Sequence, residues 1–166
     1  MKRIIYILLL SLLTGSFTQA QSFKLPAYQK FTLKNGLTVY LMEQHEVPII
    51  SVSAILPAGA IYDGEKSGLA SLTATALKHG TKNYNKEKLD NELDFLGASI
   101  NSFASKESAG LSARMAAKDK DKVMLLLKEI MLEPVFDSTE FGKEKKRLLV
   151  SLEQQKESPR SVINSY

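Results

Sequence analysis

The chain has no cysteine and no tryptophan, and only two histidines in 166 residues. The first absence excludes disulfides, thiolate metal ligands and a lipid-modified cysteine. The shortage of histidine restricts an imidazole site to His45 and His79, and neither has a histidine at i−4 or i+4. His79 therefore reads as a solvated or helix-terminal residue, and His45 as a loop residue. No serine sits in a nucleophile-elbow motif, so a Ser-His-Asp device has no support. Low-complexity tracts and short internal repeats are missing. The basic run from Lys143 to Arg147 is interrupted by Glu144 and carries no interleaved aromatics. It reads as a solvated helix face, and nucleic acid is not expected as a partner.

What is present begins with an export signal. Lys2 and Arg3 precede an apolar core from Ile4 to Leu13, and Thr18-Gln19-Ala20 places small residues at −3 and −1 of a cleavage site. The core is too short for a stable transmembrane anchor. Residues 1–20 are thus expected to be a cleaved signal peptide, and the protein to be exported in a bacterium, to the periplasm or beyond. Loss of Lys2 and Arg3 lowers the formal charge from +4 to +2, a weak bias.

Residues 21–30 read as a leader, and 31–166 as one domain. Phe31 and Leu33 alternate with polar residues, Asn35-Gly36 supplies a tight hairpin turn, and Leu37, Val39 and Leu41 alternate again. A third strand spans 47–56, with Ile50, Val52, Ala54 and Leu56 on one face. Asn85 caps a helix carrying Leu89, Leu93 and Leu96 and closed by Gly97. Strands follow at 98–105 and 108–115. An amphipathic helix over 119–132 turns Val123, Leu126, Leu127 and Ile130 inward. A last helix runs from Ser138 or Thr139 to about Glu157, with Phe141, Leu148, Leu149 and Leu152 as its apolar residues. Strands joined by hairpins with helices grouped apart predict α+β, a mainly antiparallel sheet with helices on one face.

The stretch from Ser67 to Thr81 organises the rest. Leu69, Leu72 and Ala76 fall at i, i+3 and i+7 with Leu77 beside them, and Gly80 follows, which predicts a short amphipathic helix. A second face carries Ser71, Ala74, Thr75 and Lys78. That spacing would gather two metal ligands and a base if the first three were His, Glu and His. Here they are Ser, Ala and Thr.

In order and spacing, several segments resemble the M16 peptidase family of insulinase, pitrilysin and mitochondrial processing peptidase. They are N-G-L-T-V at Asn35 to Val39, P-A-G-A at Pro57 to Ala60, Gly68-Leu69-Ala70, Gly80-Thr81, L-G-A at Leu96 to Ala98, and I-M-L-E-P-V-F at Ile130 to Phe136. The resemblance implies an M16 metallopeptidase-like domain, incomplete at its C-terminal end and part of a longer two-domain chain. In active members H-x-x-E-H follows G-L-A, two histidines and a distant glutamate bind zinc, and the motif glutamate is the general base. Laid on this chain, the histidines fall on Ser71 and Thr75, the base on Ala74 and the distant ligand on Ser151, with Glu153 two residues on. Glu144 matches an acidic position that active members also carry.

Serine and threonine hydroxyls are poor zinc donors beside imidazole or carboxylate, and alanine has no donor. No zinc or other cofactor is therefore expected in this segment. The resemblance leaves peptide binding by strand addition, at the segment Ser99, Ile100, Asn101, Ser102 and Phe103; the same residues also read as an ordinary packed strand. It further implies a non-catalytic subunit paired with an active M16 peptidase subunit, or with its own C-terminal M16 domain. Two rivals stand beside it: a zinc metallopeptidase whose active copy lies outside this segment, and an envelope peptide-binding or scaffolding module.

Overall fold

The computed structural model describes residues 26–157, so the expected signal peptide lies outside the described residues. The chain divides into two units, Met1–His45 and Glu46–Tyr166. In the first, β1 (Tyr28–Thr32) and β2 (Thr38–Met42) form an antiparallel hairpin with Phe31 opposite Val39. β1 begins at Tyr28, so the last three residues of the expected leader belong to a strand. The turn sits where Asn35-Gly36 predicts it, in a wider form. Gly36 N–H donates to the Leu33 carbonyl (2.9 Å), Leu33 N–H donates to the Leu37 carbonyl (2.8 Å), and Leu37 N–H donates to Asn35 Oδ1 (3.1 Å). Of the two turn residues only Gly36 takes positive φ, at 86°. A two-residue type I′ turn needs it at both, so this is a three-residue loop ending in a glycine bulge.

The second unit is built on three antiparallel strands. β3 (Ile49–Leu56) pairs with β5 (Ala109–Ala116), and β4 (Ser99–Ala104) pairs with the other side of β5. Val52, Ala113 and Ile100 share one row, and Ala54, Leu111 and Ser102 the next. Residues directly opposite one another share a face, so one side of the sheet is apolar. The other side shows Ser51, Ser53, Ser112, Arg114, Ser99 and Asn101. A short 3₁₀ turn (Ala60–Tyr62) follows β3, and its end of the chain docks on the β4–β5 turn: Ala60 N–H donates to the Ser105 carbonyl (2.9 Å) and Ile61 N–H to that of Lys106 (2.9 Å).

Four helices complete the unit: α1 (Leu69–Ala76), α2 (Lys86–Phe95), α3 (Lys120–Leu132) and α4 (Ser138–Lys156). Asn85 caps α2 as its position predicts, its Oδ1 accepting from Lys88 N–H at 2.8 Å. Leu89 and Leu93 of α2 and Val123, Leu126, Leu127 and Ile130 of α3 close over Ile100, Leu111, Ala113 and Met115.

Two expectations need correction. α1 ends at Ala76, one turn earlier than the stretch to Gly80 suggests, and Leu69 of its expected apolar stripe is 46% exposed. His79 is buried at 6% exposure rather than solvated. Tight bonds beyond the helix end, Lys78 N–H to the Thr75 carbonyl (3.3 Å) and His79 N–H to the Ala76 carbonyl (3.0 Å), carry its ring inward. Among the described residues its Nδ1 has no hydrogen-bond partner. On α4, for which the sequence names apolar residues but no inward face, no residue is buried, and Leu149 and Leu152 lie about half exposed.

The chain leaving α1 is fastened to α3. Buried Glu129 accepts from Thr81 Oγ1 (2.8 Å) and Asn83 Nδ2 (2.9 Å), Lys82 N–H donates to the Glu133 carbonyl (3.0 Å), and Val135 N–H donates to that of Gly80 (3.2 Å). The Asn83 amide and the Thr81 hydroxyl hold the Glu129 carboxyl below its ordinary value. A carboxyl depressed on folding lends stability that is present above its unfolded value, ~4.3, and is lost as pH falls through the folded one. Urea midpoints measured between about pH 3 and pH 6 should therefore fall less steeply with acid in Glu129→Gln than in the wild type. Parallel curves would show that the carboxylate is not held this way.

Candidate functional site

α1 is positioned from both ends. Its N-cap, Gly68, has no side chain to offer, and Asp63 supplies the cap from the preceding loop. Asp63 Oδ2 accepts from Gly68 N–H and Oδ1 from Ala70 N–H, both at 2.8 Å. A carboxylate on the first N–H groups of a helix also complements its dipole. Periodicity does not mark Asp63; its signal in the sequence is a helix start with glycine at its cap and an acid five residues upstream.

Of the four residues expected on the second face, Ser71, Ala74 and Thr75 lie on α1 and Lys78 lies just beyond its end, each in different surroundings. Ser71 is exposed and Ala74 is buried, while Thr75 and Lys78 are half-buried. The Thr75 hydroxyl donates to the Ser71 carbonyl at 3.0 Å, so its proton is engaged within the helix. Ala74 turns its methyl group to a mainly apolar cavity of about 360 Å³, with Leu56, Tyr62, Ala70, Thr73 and Leu77 among its walls. Ser151 is exposed on α4 in a shallow hollow formed by that helix alone, beside Arg147, Val150 and Gln154. Glu144 accepts an ion pair from Arg147 (3.2 Å), and Lys143 holds the Glu140 carboxyl below its usual range through a hydrogen bond. α1 and α4 pack together, yet what they bring is hydroxyl, methyl and paired charge. Among the described residues no three His, Asp or Glu side chains gather as a metal site. A zinc ion does not fit these positions.

The second component is β4, which packs against α1. β4 is an edge strand: β5 pairs with one side of it, and among the described residues nothing pairs with the other. Ile100 is buried, Ser102 and Phe103 are half-buried, and Ser99 and Asn101 are exposed. The segment from Ser99 to Phe103 thus lies wholly on a strand with one side unpaired among the described residues.

The arrangement is a short helix set beside an unpaired sheet edge in an antiparallel α+β domain, with no imidazole or carboxylate at positions 71, 74, 75 and 151. The family model described as Insulinase (Peptidase family M16) matches residues 38–166, and the chain belongs to that family. It is 30% identical to mitochondrial cytochrome b-c1 complex subunit 1 of Bos taurus over 156 residues, 93% of this chain and 32% of the relative. It is 25% identical to a protein of Rickettsia felis named as an uncharacterized zinc protease, over 79% of this chain and 32% of the relative. Among solved structures it is similar to a chain described as a peptidase M16 inactive domain from Pseudomonas fluorescens (TM-score 0.79, 25% identity, 82% of this chain and 34% of that one). The chain spans about a third of the length of the curated relatives it matches.

Proposed function

We propose that this chain is part of an exported, non-catalytic M16 protein that holds extended peptides along β4 and works beside a zinc-bearing homologue. The observation that carries the reading is the contrast between the two components of the site. Ser71, Ala74, Thr75 and Ser151 offer no imidazole or carboxylate, whereas β4 lies at a free edge against the same helix. Backbone ladder bonds at an edge need no metal, so recognition survives where hydrolysis does not. Loss of a general base alone costs about 10²–10⁴-fold in rate. The likeness to a chain described as an inactive domain supports the non-catalytic role. The likeness to a protein named as a complex subunit supports work in an assembly. The charged, apolar and small-residue order of residues 1–20 supports export.

The test is elemental analysis of the purified full-length mature protein, with copurification from its native host. Zinc far below one equivalent, together with a copurifying zinc-bearing M16 homologue, is the expected result. One equivalent that persists in His79→Ala would place an active copy elsewhere in the protein and overturn the reading. One equivalent lost in His79→Ala would overturn the account of α1.

A further inference from the structure

Arg114 stands on the solvent face of the central strand β5, and its two direct cross-strand neighbours are serines, Ser51 on β3 and Ser99 on β4. With Ser51, Ser53, Ser99, Asn101 and Ser112 it lines a shallow depression of about 360 Å³. Among the described residues Arg114 has no ion-pair partner, although Arg147, the other arginine there, is paired. It is exposed, so it is not needed to neutralise a buried charge. A strand added to β4 would place a residue opposite Ser99, on the same face as Ser99 and Arg114. That residue lies two strand spacings from Arg114, roughly 9–10 Å between backbones. Ser99 between them is too short to obstruct the long guanidinium arm.

We infer that Arg114 selects peptides by charge: the β4 edge prefers an extended peptide carrying Asp or Glu at the position opposite Ser99, whose carboxylate meets the Arg114 guanidinium across the Ser99 side chain. This rests on the reading of β4 as a peptide edge. Arginine suits the task because its planar fork meets a carboxylate through two parallel hydrogen bonds and stays charged at any physiological pH. The remaining side chains of the depression are small and neutral, so they tolerate varied neighbours and leave the arginine to set the preference.

The experiment is fluorescence anisotropy with the full-length mature protein and labelled extended peptides of one small polar sequence, in which a single Glu, Gln or Lys is walked along the chain. In one register Glu should bind about three- to fivefold more tightly than Gln, as expected of an exposed charge pair, and the gap should narrow with added salt. Arg114→Gln should remove the gap, and Arg114→Glu should turn the preference toward Lys. A gap that survives in Arg114→Gln overturns the inference. Equal, measurable binding of all three peptides in every register also overturns it, while leaving the edge reading intact. No binding by any peptide overturns both.

Discussion

Gly110→Ala is expected to destabilise the second unit by about 3 kcal/mol, the upper end of the usual cost of overpacking, when followed by urea or thermal unfolding. A Cβ at this position would overlap the Ala54 carbonyl oxygen and lie 2.9 Å from Cζ of Phe103. The ring could turn aside, but the carbonyl belongs to β3. Gly110 faces Ile55 in the β3–β5 ladder and Phe103 in the β4–β5 ladder, so both registers run through it. Moving β3 away to make room would break the pairing that carries the apolar face. Gly142→Ala is the matching control. A Cβ there meets nothing within 4 Å, and the position is inside α4. Replacing a mid-helix glycine should stabilise by about 0.5–1 kcal/mol. Equal midpoints for Gly110→Ala and wild type would mean that β3 and β5 do not meet as described.

Leu126→Ala should cost about 2–5 kcal/mol, the range for emptying a packed core position. Leu126 is fully buried where α3 crosses the sheet, among Val123, Ile130 and the inward residues of β4 and β5. Leu149→Ala, by contrast, removes a side chain that is 52% exposed on α4 and should stay within about 0.5 kcal/mol. The comparison is informative because both residues are leucines on amphipathic helices. A large loss at Leu149 in the full-length protein would show that this face of α4 is covered there.

These two leucines also show how far the sequence could be read. Periodicity placed Leu126 inward and did so correctly, because α3 lies over a sheet whose own alternation (Leu111, Ala113, Met115) supplies the opposing surface. For Leu149 and Leu152 the sequence shows apolar residues on a helix but no face to bury, and among the described residues both stay about half exposed. Local signals with a stereochemical cause were legible: the Asn85 cap, the glycine of the hairpin turn, the inward strand faces. His79 was not, since its burial depends on where α1 stops, and helix ends are set by competing bonds that leave little trace in sequence. Of the candidate site, the residue types at 71, 74, 75 and 151 could be read directly. The edge position of β4 could not, because strand order is a property of the assembled sheet. Nor could Arg114 be singled out, as it acts through neighbours that only the fold supplies.

The two anchors of α1 bear on how such a chain can change over time. Asp63 secures the start of the helix, and the Thr81–Glu129–Asn83 bonds secure the strand of chain that leaves it. Neither anchor involves residues 71, 74 or 75. The contacts that hold the helix in place are therefore largely separate from the side chains on its second face. At 71 and 75 the remaining requirement is helical backbone, and at 74 a side chain small enough for its buried place. Residues at these sites can therefore change while the helix stays held in the same place beside the same edge.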